Sequence, residues 1–274
     1  MTRICNVLTI AGSDPSGGAG IQADIKAISA NGAYAMAAIT ALTAQNTQGV
    51  RGVQLVEPAF VAAQIDAVFE DVRVDAVKIG MLGSAEITTA VADALQRHRA
   101  TRIVLDPVMV AKGGDRLLAD QAVTALREQL LPLASVLTPN LPEAAALLDE
   151  PEITEVQSMP ALAERLLALG PSAVLLKGGH LSGASSPDYL ATADASLWLE
   201  AERLPTQNTH GTGCTLASAL AAQLASGAEP MAAARAAKAY IAGAIAQADS
   251  LGVGQGQGPT HHFHALWSGL HRPR

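Results

Sequence analysis

Two hydrophobic patterns alternate along most of this chain. Short apolar runs, typical of buried strands, are followed by longer stretches in which apolar residues recur every three or four positions, as on one face of a helix. The predicted strands are residues 5–11, 35–43, 75–80, 102–105, 136–138 and 173–176. The predicted helices begin near residues 20, 58, 84, 119, 140, 160, 212 and 230.

Two late runs follow a different pattern, because residues 188–192 and 197–202 alternate in polarity like an antiparallel pair of strands. The repeated strand–helix units predict a doubly wound α/β fold, with a mostly parallel sheet, helices on both faces and a small antiparallel edge. No internal repeat and no linker divides the chain, so we expect residues 1–274 to form a single domain.

A glycine-rich turn, residues 12–20, follows the first predicted strand. It lacks the Gly-Lys-Ser/Thr ending of a Walker A loop, and its glycine spacing does not fit the dinucleotide fingerprint. A glycine turn at the carboxyl end of a strand still predicts the rim of a ligand site. Asp24 lies one helical turn further on, where it either faces the same crevice or is a solvated helix residue.

A second glycine turn, Gly211-Thr212-Gly213-Cys214, opens an alanine-rich helix. A helix start presents free N–H groups and partial positive charge, and glycines let a phosphate approach the backbone closely. The turn therefore predicts an anion site. Cys214 lies in the first turn, where the helix dipole favours a thiolate that could take a proton from an alcohol. A plain helix cap with a small buried cysteine fits the same residues.

Other candidate side chains directly follow predicted strands, at the edge where ligands bind in such sheets. Gln45 suits hydrogen bonding to a heterocycle, although a turn would use it equally well. Met81 could pack on a flat ligand or fill the core. Asp106 is either a residue beside a metal or the start of a turn, and Lys177 contacts either phosphate or solvent.

Asn140 and Glu143 have the three-residue spacing of a capping box at the start of a helix. The functional alternative is that Glu143, at the carboxyl edge of the sheet, orders water around Mg²⁺. Three late histidines, His261, His262 and His264, fit no metal-binding spacing.

Composition narrows the function classes. Aromatic residues make up only 3% of the chain and the formal net charge is -7, which argues against a nucleic-acid or acidic-membrane partner. Two cysteines do not suggest a disulfide framework, and neither a signal peptide nor a long apolar run is evident. We therefore expect a cytoplasmic protein whose partners are small molecules.

Taken together, the motifs resemble those of the ribokinase superfamily and, within it, the hydroxymethylpyrimidine/phosphomethylpyrimidine kinases of thiamine biosynthesis. The resemblance covers nearly the whole chain and is carried by residues 11–24, 43–47, 78–82, 106–109, 138–140, 177–180 and 208–214. In most of the superfamily an aspartate closes the anion-hole turn. This branch has a cysteine there, and Cys214 matches it.

The resemblance implies a ribokinase-like kinase that uses ATP and Mg²⁺ to phosphorylate 4-amino-5-hydroxymethyl-2-methylpyrimidine and then its monophosphate. The substrate-binding residues that it implies are Gln45, Asp24, Gly12, Met81 and Val108. The ATP-binding residues that it implies are Lys177, Asn140, Thr209, Gly211, Thr212 and Gly213. Asp106 and Glu143 would organise Mg²⁺, while Gly211, Gly213 and Cys214 would form the anion hole, with Cys214 as the base.

Two other functions stay open. Pyridoxal is also a flat heterocycle with a hydroxymethyl arm, so a pyridoxal kinase of the same branch is one alternative. A non-catalytic vitamin-binding relative is the other, although intact Lys177 and Cys214 argue against it. An exposed antiparallel edge pair favours a homodimer, and residues 181–187 match no motif.

Overall fold

The computed structural model describes residues 3–109 and 120–267. Within these ranges, nine strands form a single sheet. The strands are β1 (Asn6–Ser13), β2 (Tyr34–Asn46), β3 (Gly49–Leu55), β4 (Ala76–Ile79), β5 (Ile103–Leu105), β6 (Val136–Leu137), β7 (Ala173–Lys177), β8 (Asp188–Thr192) and β9 (Ser196–Leu199). Their order across the sheet is β3-β2-β1-β4-β5-β6-β7-β8-β9.

The helices in these ranges follow the strands as predicted. They are α1 (Gly20–Ala30), α2 (Pro58–Asp71), α3 (Ala85–Arg97), α4 (Asp120–Ala125), α5 (Leu141–Leu148), α6 (Met159–Leu167), α7 (Thr212–Ala225), α8 (Pro230–Ala246) and α9 (His264–Trp267). The helix predicted from residue 119 is α4, which continues as a π-helical turn over Leu126–Leu130. The glycine pair Gly113-Gly114 predicts a loop at residues 111–115, a segment that lies outside the described residues.

The predicted α/β fold is confirmed. Strands β2, β1, β4, β5, β6 and β7 are parallel, and they are covered on both faces. One hydrophobic cluster lies between the sheet and helices α2, α3, α5 and α6. A second cluster packs α7 and α8 against the opposite face. In β4, Val77 and Ile79 point into the first cluster and Ala76 into the second, as strand alternation requires.

Both edges of the sheet are antiparallel, whereas the sequence predicted one such edge. The predicted pair is present as β8 and β9. At the other edge, β3 pairs antiparallel with the carboxyl half of β2. Strand β3 was missed because the residues of its second half are all exposed, so its sequence carries no alternation between buried and exposed positions.

Side-chain caps fix where α3 and α5 begin. The Ser84 side chain accepts a hydrogen bond from the Ile87 N–H at 3.2 Å, so Ser84 is the N-cap of the helix predicted to begin near residue 84. Asn140 and Glu143 form the predicted capping box, with both reciprocal hydrogen bonds at 2.8 Å. In the part of the chain that the structure describes, no helix combines the length and the apolar content needed to cross a bilayer.

Candidate active site

A cavity of about 880 Å³ opens at the carboxyl ends of the parallel strands. Every predicted site residue except Asp24 lines it. These residues are Gly12, Gln45, Met81, Asp106, Val108, Asn140, Glu143, Lys177, Thr209, Gly211, Thr212, Gly213 and Cys214. Residues that are far apart in sequence meet here because the carboxyl ends of parallel strands share one edge of the sheet.

The two glycine turns are in direct contact. Gly211 has a φ of +74°, and a Cβ built on it would lie 1.8 Å from the Gly18 carbonyl oxygen. Gly20 has a φ of +55°, and its N–H donates a hydrogen bond to the Cys214 sulfur. Glycine is required at Gly211 by both the left-handed backbone and the close approach. The late sulfur therefore lies beside the early glycine turn.

Asp14 organises the first turn, although no sequence pattern assigned it a role. Its Oδ2 accepts hydrogen bonds from the Ala19 N–H and from His210 Nε2, both at 2.8 Å. Its Oδ1 accepts from the Ser16 N–H at 2.9 Å and from the Ser16 hydroxyl at 2.7 Å. Although burial opposes its charge, hydrogen bonds from His210, Ser16 and Ala19 lower the pKa of Asp14 to about 2. The Asp14–His210 pair thus ties the two glycine turns together.

Gln45, Gly12 and Met81 form one end of the cavity. Gln45 Oε1 accepts a hydrogen bond from Thr43 Oγ1 at 3.3 Å, and Gln45 Nε2 lies 3.3 Å from His210 Nε2. A Cβ on Gly12 would lie 3.0 Å from Met81 Cε, so the methionine tip packs directly over this glycine. A side-chain amide next to a flat apolar wall suits a small heterocycle.

Lys177, Asp106 and Glu143 form a charged cluster beside the start of α7. Lys177 Nζ lies 2.7 Å from Asp106 Oδ1 and 3.8 Å from Glu143 Oε2. A Cβ on Gly213 would lie 3.2 Å from Lys177 Nζ, which places the ammonium at the first turn of α7. An ammonium next to free N–H groups at a helix start forms an anion-binding site.

The pKa values in this cluster reflect burial and close charges. Burial and the nearby charge of Asp106 raise the pKa of Glu143, while Lys177 lowers it, and the net value is about 7. Although burial opposes the charge of Lys177, the carboxylates of Asp106 and Glu143 raise the pKa of its ammonium. Lys177 is therefore a fixed cation at neutral pH, whereas Glu143 can gain or lose its proton.

Asp106 and Glu143 fit the way in which proteins hold Mg²⁺ next to a nucleotide. Among the described residues, no group of three or more His, Cys, Asp or Glu side chains is arranged to enclose a metal ion. Mg²⁺ at phosphate sites is usually held by only one or two carboxylates, while water and phosphate oxygens complete its shell. The two carboxylates on the cavity wall match that smaller donor set.

Two predictions need correction, and the first concerns the ionisation of Cys214. The helix dipole was expected to favour a thiolate, but burial raises the pKa of Cys214 to about 11. The positive charge of Lys78 lowers this pKa, whereas the charges of Asp24 and Asp106 raise it. Desolvation of the charged form outweighs the dipole, so Cys214 is a thiol at neutral pH.

The second correction concerns Asp24, which was expected to contact the substrate. Asp24 is fully buried beneath the cavity and does not line it. Its carboxylate is bonded to Thr9, Lys78 and Ser218. The helical pattern placed Asp24 near the crevice, but it did not show that Lys78 would reach it from the middle of β4.

Arg203 shapes the opposite end of the cavity and gives residues 181–187 a structural role. Its guanidinium donates hydrogen bonds to the carbonyl oxygens of Gly179, Leu181, Gly183 and Ser185, at 2.6 to 3.2 Å. No sequence motif reveals this contact, because the partners lie about twenty positions away. Apolar side chains at this end include Leu204, Leu216, Ile241, Ala242 and Ile245.

The family model for phosphomethylpyrimidine kinase matches residues 14–261 of this chain. The chain belongs to the phosphomethylpyrimidine kinase family. A hydroxymethylpyrimidine/phosphomethylpyrimidine kinase of Salmonella typhimurium is 57% identical over 267 residues, which cover 97% of this chain and 100% of the relative. The family predicted from the motifs is confirmed, and so is the prediction of a phosphotransferase.

Solved structures of related kinases share this fold. A pyridoxal kinase of Bacillus subtilis, determined as an ADP complex, is 37% identical with a TM-score of 0.88, covering 96% of this chain and 99% of its own. A phosphomethylpyrimidine kinase of Clostridium difficile is 44% identical with a TM-score of 0.78, covering 88% of this chain and 99% of its own. Kinases for two different ring alcohols are thus built on this scaffold.

Proposed function

We propose that this member of the phosphomethylpyrimidine kinase family transfers the γ-phosphoryl group of ATP to 4-amino-5-hydroxymethyl-2-methylpyrimidine, and then phosphorylates the monophosphate, in thiamine biosynthesis. The observation that carries the proposal is the meeting of Lys177, the first turn of α7 and the glycine turn at residues 12–20 around one cavity. The identity of 57% to a kinase with this substrate name supports the same choice.

The pyrimidine ring lies at the end of the cavity formed by Gly12, Met81 and Val108 in this proposal. Gln45 hydrogen-bonds the aminopyrimidine, and the Thr43 hydroxyl donates to its Oε1. His210 Nε2 donates to Asp14 and lies 3.3 Å from Gln45 Nε2, so His210 lies beside the amide without accepting a hydrogen bond from it. This places the hydroxymethyl arm toward Cys214 and the start of α7.

Phosphoryl transfer then depends on charge placed before the reaction begins. Lys177, Asn140, Thr209 and Thr212 bind ATP, and the N–H groups at Gly211, Gly213 and Cys214 form the anion hole for the group being transferred. The transition state is loose and gathers charge on its equatorial oxygens, so fixed donors supply most of the stabilisation. When bound, Mg²⁺ held by Asp106 and Glu143 neutralises charge on the phosphate oxygens.

Cys214 accepts the proton that the substrate loses. The substrate hydroxyl oxygen bonds to the γ-phosphorus, and the bond between the γ-phosphorus and the β-phosphate oxygen breaks. The hydroxyl proton passes to the thiolate form of Cys214. With a pKa of about 11, on the order of 10⁻⁴ of the protein carries that thiolate at pH 7. Activity should therefore rise with pH.

Pyridoxal phosphorylation is the second candidate, favoured by the fold shared with the Bacillus subtilis pyridoxal kinase. The deciding test gives the purified protein ATP and Mg²⁺ with each alcohol in turn, identifies the products by mass spectrometry and compares kcat/KM. We expect mono- and diphosphorylated pyrimidine and a higher kcat/KM for hydroxymethylpyrimidine. A higher value for pyridoxal would replace the proposal, and no turnover of either alcohol would favour a non-catalytic binding protein.

A homodimer is the assembly that we propose. Exposed apolar side chains gather where β2 and β3 pair, with Leu42, Val53 and Leu55 each at least 44% exposed and Phe60 of α2 62% exposed. A second copy of this chain would cover them, so the β3 edge is a better contact than the predicted β8–β9 pair. Light scattering should give the dimer mass, and Val53→Lys should give the monomer. A monomeric wild type would contradict the proposal.

The cytoplasmic location stays a prediction.

A further inference from the structure

A buried ion pair lies directly beneath the active-site cavity. Lys78, in the middle of β4, is completely buried, and its Nζ lies 2.9 Å from Asp24 Oδ1 and 3.0 Å from Asp24 Oδ2. Thr9 Oγ1 donates to Asp24 Oδ2 at 2.6 Å, and Ser218 Oγ donates to Asp24 Oδ1 at 2.7 Å. Neither charged side chain reaches the cavity, so neither can touch a substrate.

The pair connects the elements that carry the active site. Thr9 and Lys78 are register partners on β1 and β4, so both side chains point to the same face of the sheet, toward α1 and α7. Ser218 lies four residues after Cys214 on α7, about one turn, so the two side chains share a face of the helix. Gly80 leaves room for the ammonium, since a Cβ there would lie 2.8 Å from Lys78 Nζ. The ion pair thus lies under the turn that presents Cys214.

Stability alone is a weak reason for such a pair. Removing two charges from water is costly, and apolar residues of similar size often serve as well or better in a core. Here the pair lies on the face of the sheet where the second hydrophobic cluster already packs α7 and α8. An effect on the neighbouring chemistry therefore accounts for the pair better than an effect on folding does.

Four charged groups act on the Cys214 sulfur, each from a different element. Lys78 on β4 favours the thiolate, while Asp24 on α1 and Asp106 after β5 oppose it. Lys177 at the end of β7 also interacts with the sulfur. Asp106 and Lys177 line the cavity, where Lys177 can pair with nucleotide phosphate and Asp106 with its Mg²⁺, whereas Lys78 and Asp24 are buried away from bound substrates.

We propose that Lys78 and Asp24 are positioning residues that act on Cys214 in opposite directions. Lys78 stabilises the Cys214 thiolate, and Asp24 limits the extent of that stabilisation. This rests on the proposed function only in assigning Cys214 as the proton acceptor. Through Ser218, Asp24 also fixes α7, so one buried group sets both the place and the proton affinity of the sulfur. The pair itself does not react.

The test measures the rate at which iodoacetamide alkylates Cys214 between pH 8 and 10, without nucleotide or pyrimidine. Below its pKa a thiol reacts in proportion to its thiolate fraction, while a higher pKa makes the thiolate itself more nucleophilic, so a shift of one unit changes the rate about threefold. We expect Lys78→Met to slow Cys214 alkylation about threefold or more, and Asp24→Asn to accelerate it. Mass spectrometry of the Cys214 peptide gives the rate.

Cys5 is the internal control, because it directly precedes the amino end of β1, whereas the cavity opens at the carboxyl ends of the strands. The alkylation rate of Cys5 should therefore stay unchanged. Structural damage would move both single variants in the same direction, so only opposite shifts support the proposal. Shifts of the same sign, or equal rates in all proteins, would overturn it. If the single variants do not fold, the double variant Lys78→Met/Asp24→Asn, a neutral pair of similar size, is tested instead. Because Lys78 acts more strongly on Cys214 than Asp24 does, slower alkylation of Cys214 than in the wild type supports the proposal. An unchanged or faster rate overturns it.

These readouts are independent of catalysis. A protein that phosphorylates no pyrimidine could still show opposite shifts at Cys214, which would sink the proposed substrate and leave the inference intact. Conversely, an active kinase with equal alkylation rates in all variants would keep the function and lose the inference.

Discussion

The Gly18 carbonyl oxygen occupies the space in which a side chain at Gly211 would begin, 1.8 Å from the position of a Cβ. This contact joins two turns that are almost two hundred residues apart in the chain. It allows the Gly20 N–H to reach the Cys214 sulfur and His210 to reach Asp14. The anion site at the start of α7 therefore depends on the glycine turn after β1.

Substitution of Gly211 tests this dependence. Gly211→Ala should lower kcat about 10²-fold, because the start of α7 must move away from Gly18 and the N–H donors move with it. The matched control is Gly32→Ala, where φ is +82° but no atom lies within 4 Å of the added Cβ. Gly32→Ala should lose about 1–3 kcal/mol of unfolding free energy from backbone strain, and Gly211→Ala should lose more, because its Cβ also clashes with the Gly18 carbonyl oxygen. Equal kcat in the two variants would show that the close approach does not matter.

Lys177 is expected to act mainly on the transferred phosphoryl group. Lys177→Met should lower kcat about 10²–10³-fold, the cost typical of losing one fixed donor to developing charge, with little change in the KM for the pyrimidine. Loss of the Lys177 charge should also raise the pKa of Glu143 above about 7, because in the wild type the Lys177 charge lowers that pKa. Steady-state kinetics with each substrate varied gives the answer, and a kcat within threefold of the wild type would contradict it.

The raised pKa of Cys214 predicts a pH dependence. If the thiolate accepts the proton, kcat/KM should increase up to about tenfold per pH unit above neutral pH, since the pKa is about 11 and the reactive form is the deprotonated one. Cys214→Ala should lose about 10²–10⁴-fold in kcat and lose the increase with pH. A folded Cys214→Ala protein with full kcat would remove the cysteine from the mechanism.

Gly12 tests the assignment of the ring subsite. In Gly12→Ala the new methyl group would meet Met81 Cε at 3.0 Å, and the flexible methionine can shift, so stability should change little. The shifted side chain narrows the subsite, and we expect the KM for hydroxymethylpyrimidine to rise about tenfold while the KM for ATP stays constant. Gly52→Ala on β3 is the control, because its Cβ would lie 4.0 Å from Ala44 and outside the cavity. A larger rise in the KM for ATP would place the ring elsewhere.

His262 contributes a loss of stability in mild acid. Burial lowers the pKa of His262 from 6.5 to about 3, and its Nε2 lies 3.0 Å from Thr215 Oγ1. The unfolded chain binds this proton first, so the contribution of His262 falls as the pH drops below 6.5, by about 2 kcal/mol at pH 5. Glu143 acts in the opposite direction, because its pKa of about 7 makes the folded protein bind that proton first. Urea unfolding should therefore show His262→Gln gaining about 2 kcal/mol relative to the wild type between pH 7 and pH 5, and an unchanged difference between the two proteins would contradict the assignment.

Local patterns in the sequence determined most of the secondary structure and where the cavity opens. Apolar runs and alternation located eight of the nine described strands, and the motifs after them, together with the family resemblance, named thirteen residues of the cavity wall. These predictions worked because parallel strands place their carboxyl ends at one edge, so a position along the chain already implies a position in space. Strand β3 was missed because Gly49, Gly52 and Arg51 interrupt its apolar residues, so the sequence shows no continuous apolar run.

Only the tertiary structure decided the charges and the contacts between distant elements. Whether Cys214 is a thiol or a thiolate depends on burial and on Lys78, Asp24 and Asp106, which three different elements bring near it. The side chains of Asp24 and Arg203 likewise received their roles from partners that the sequence could not name. Desolvation and Coulomb interactions depend on distance in space, and that distance becomes defined only when strands and helices pack.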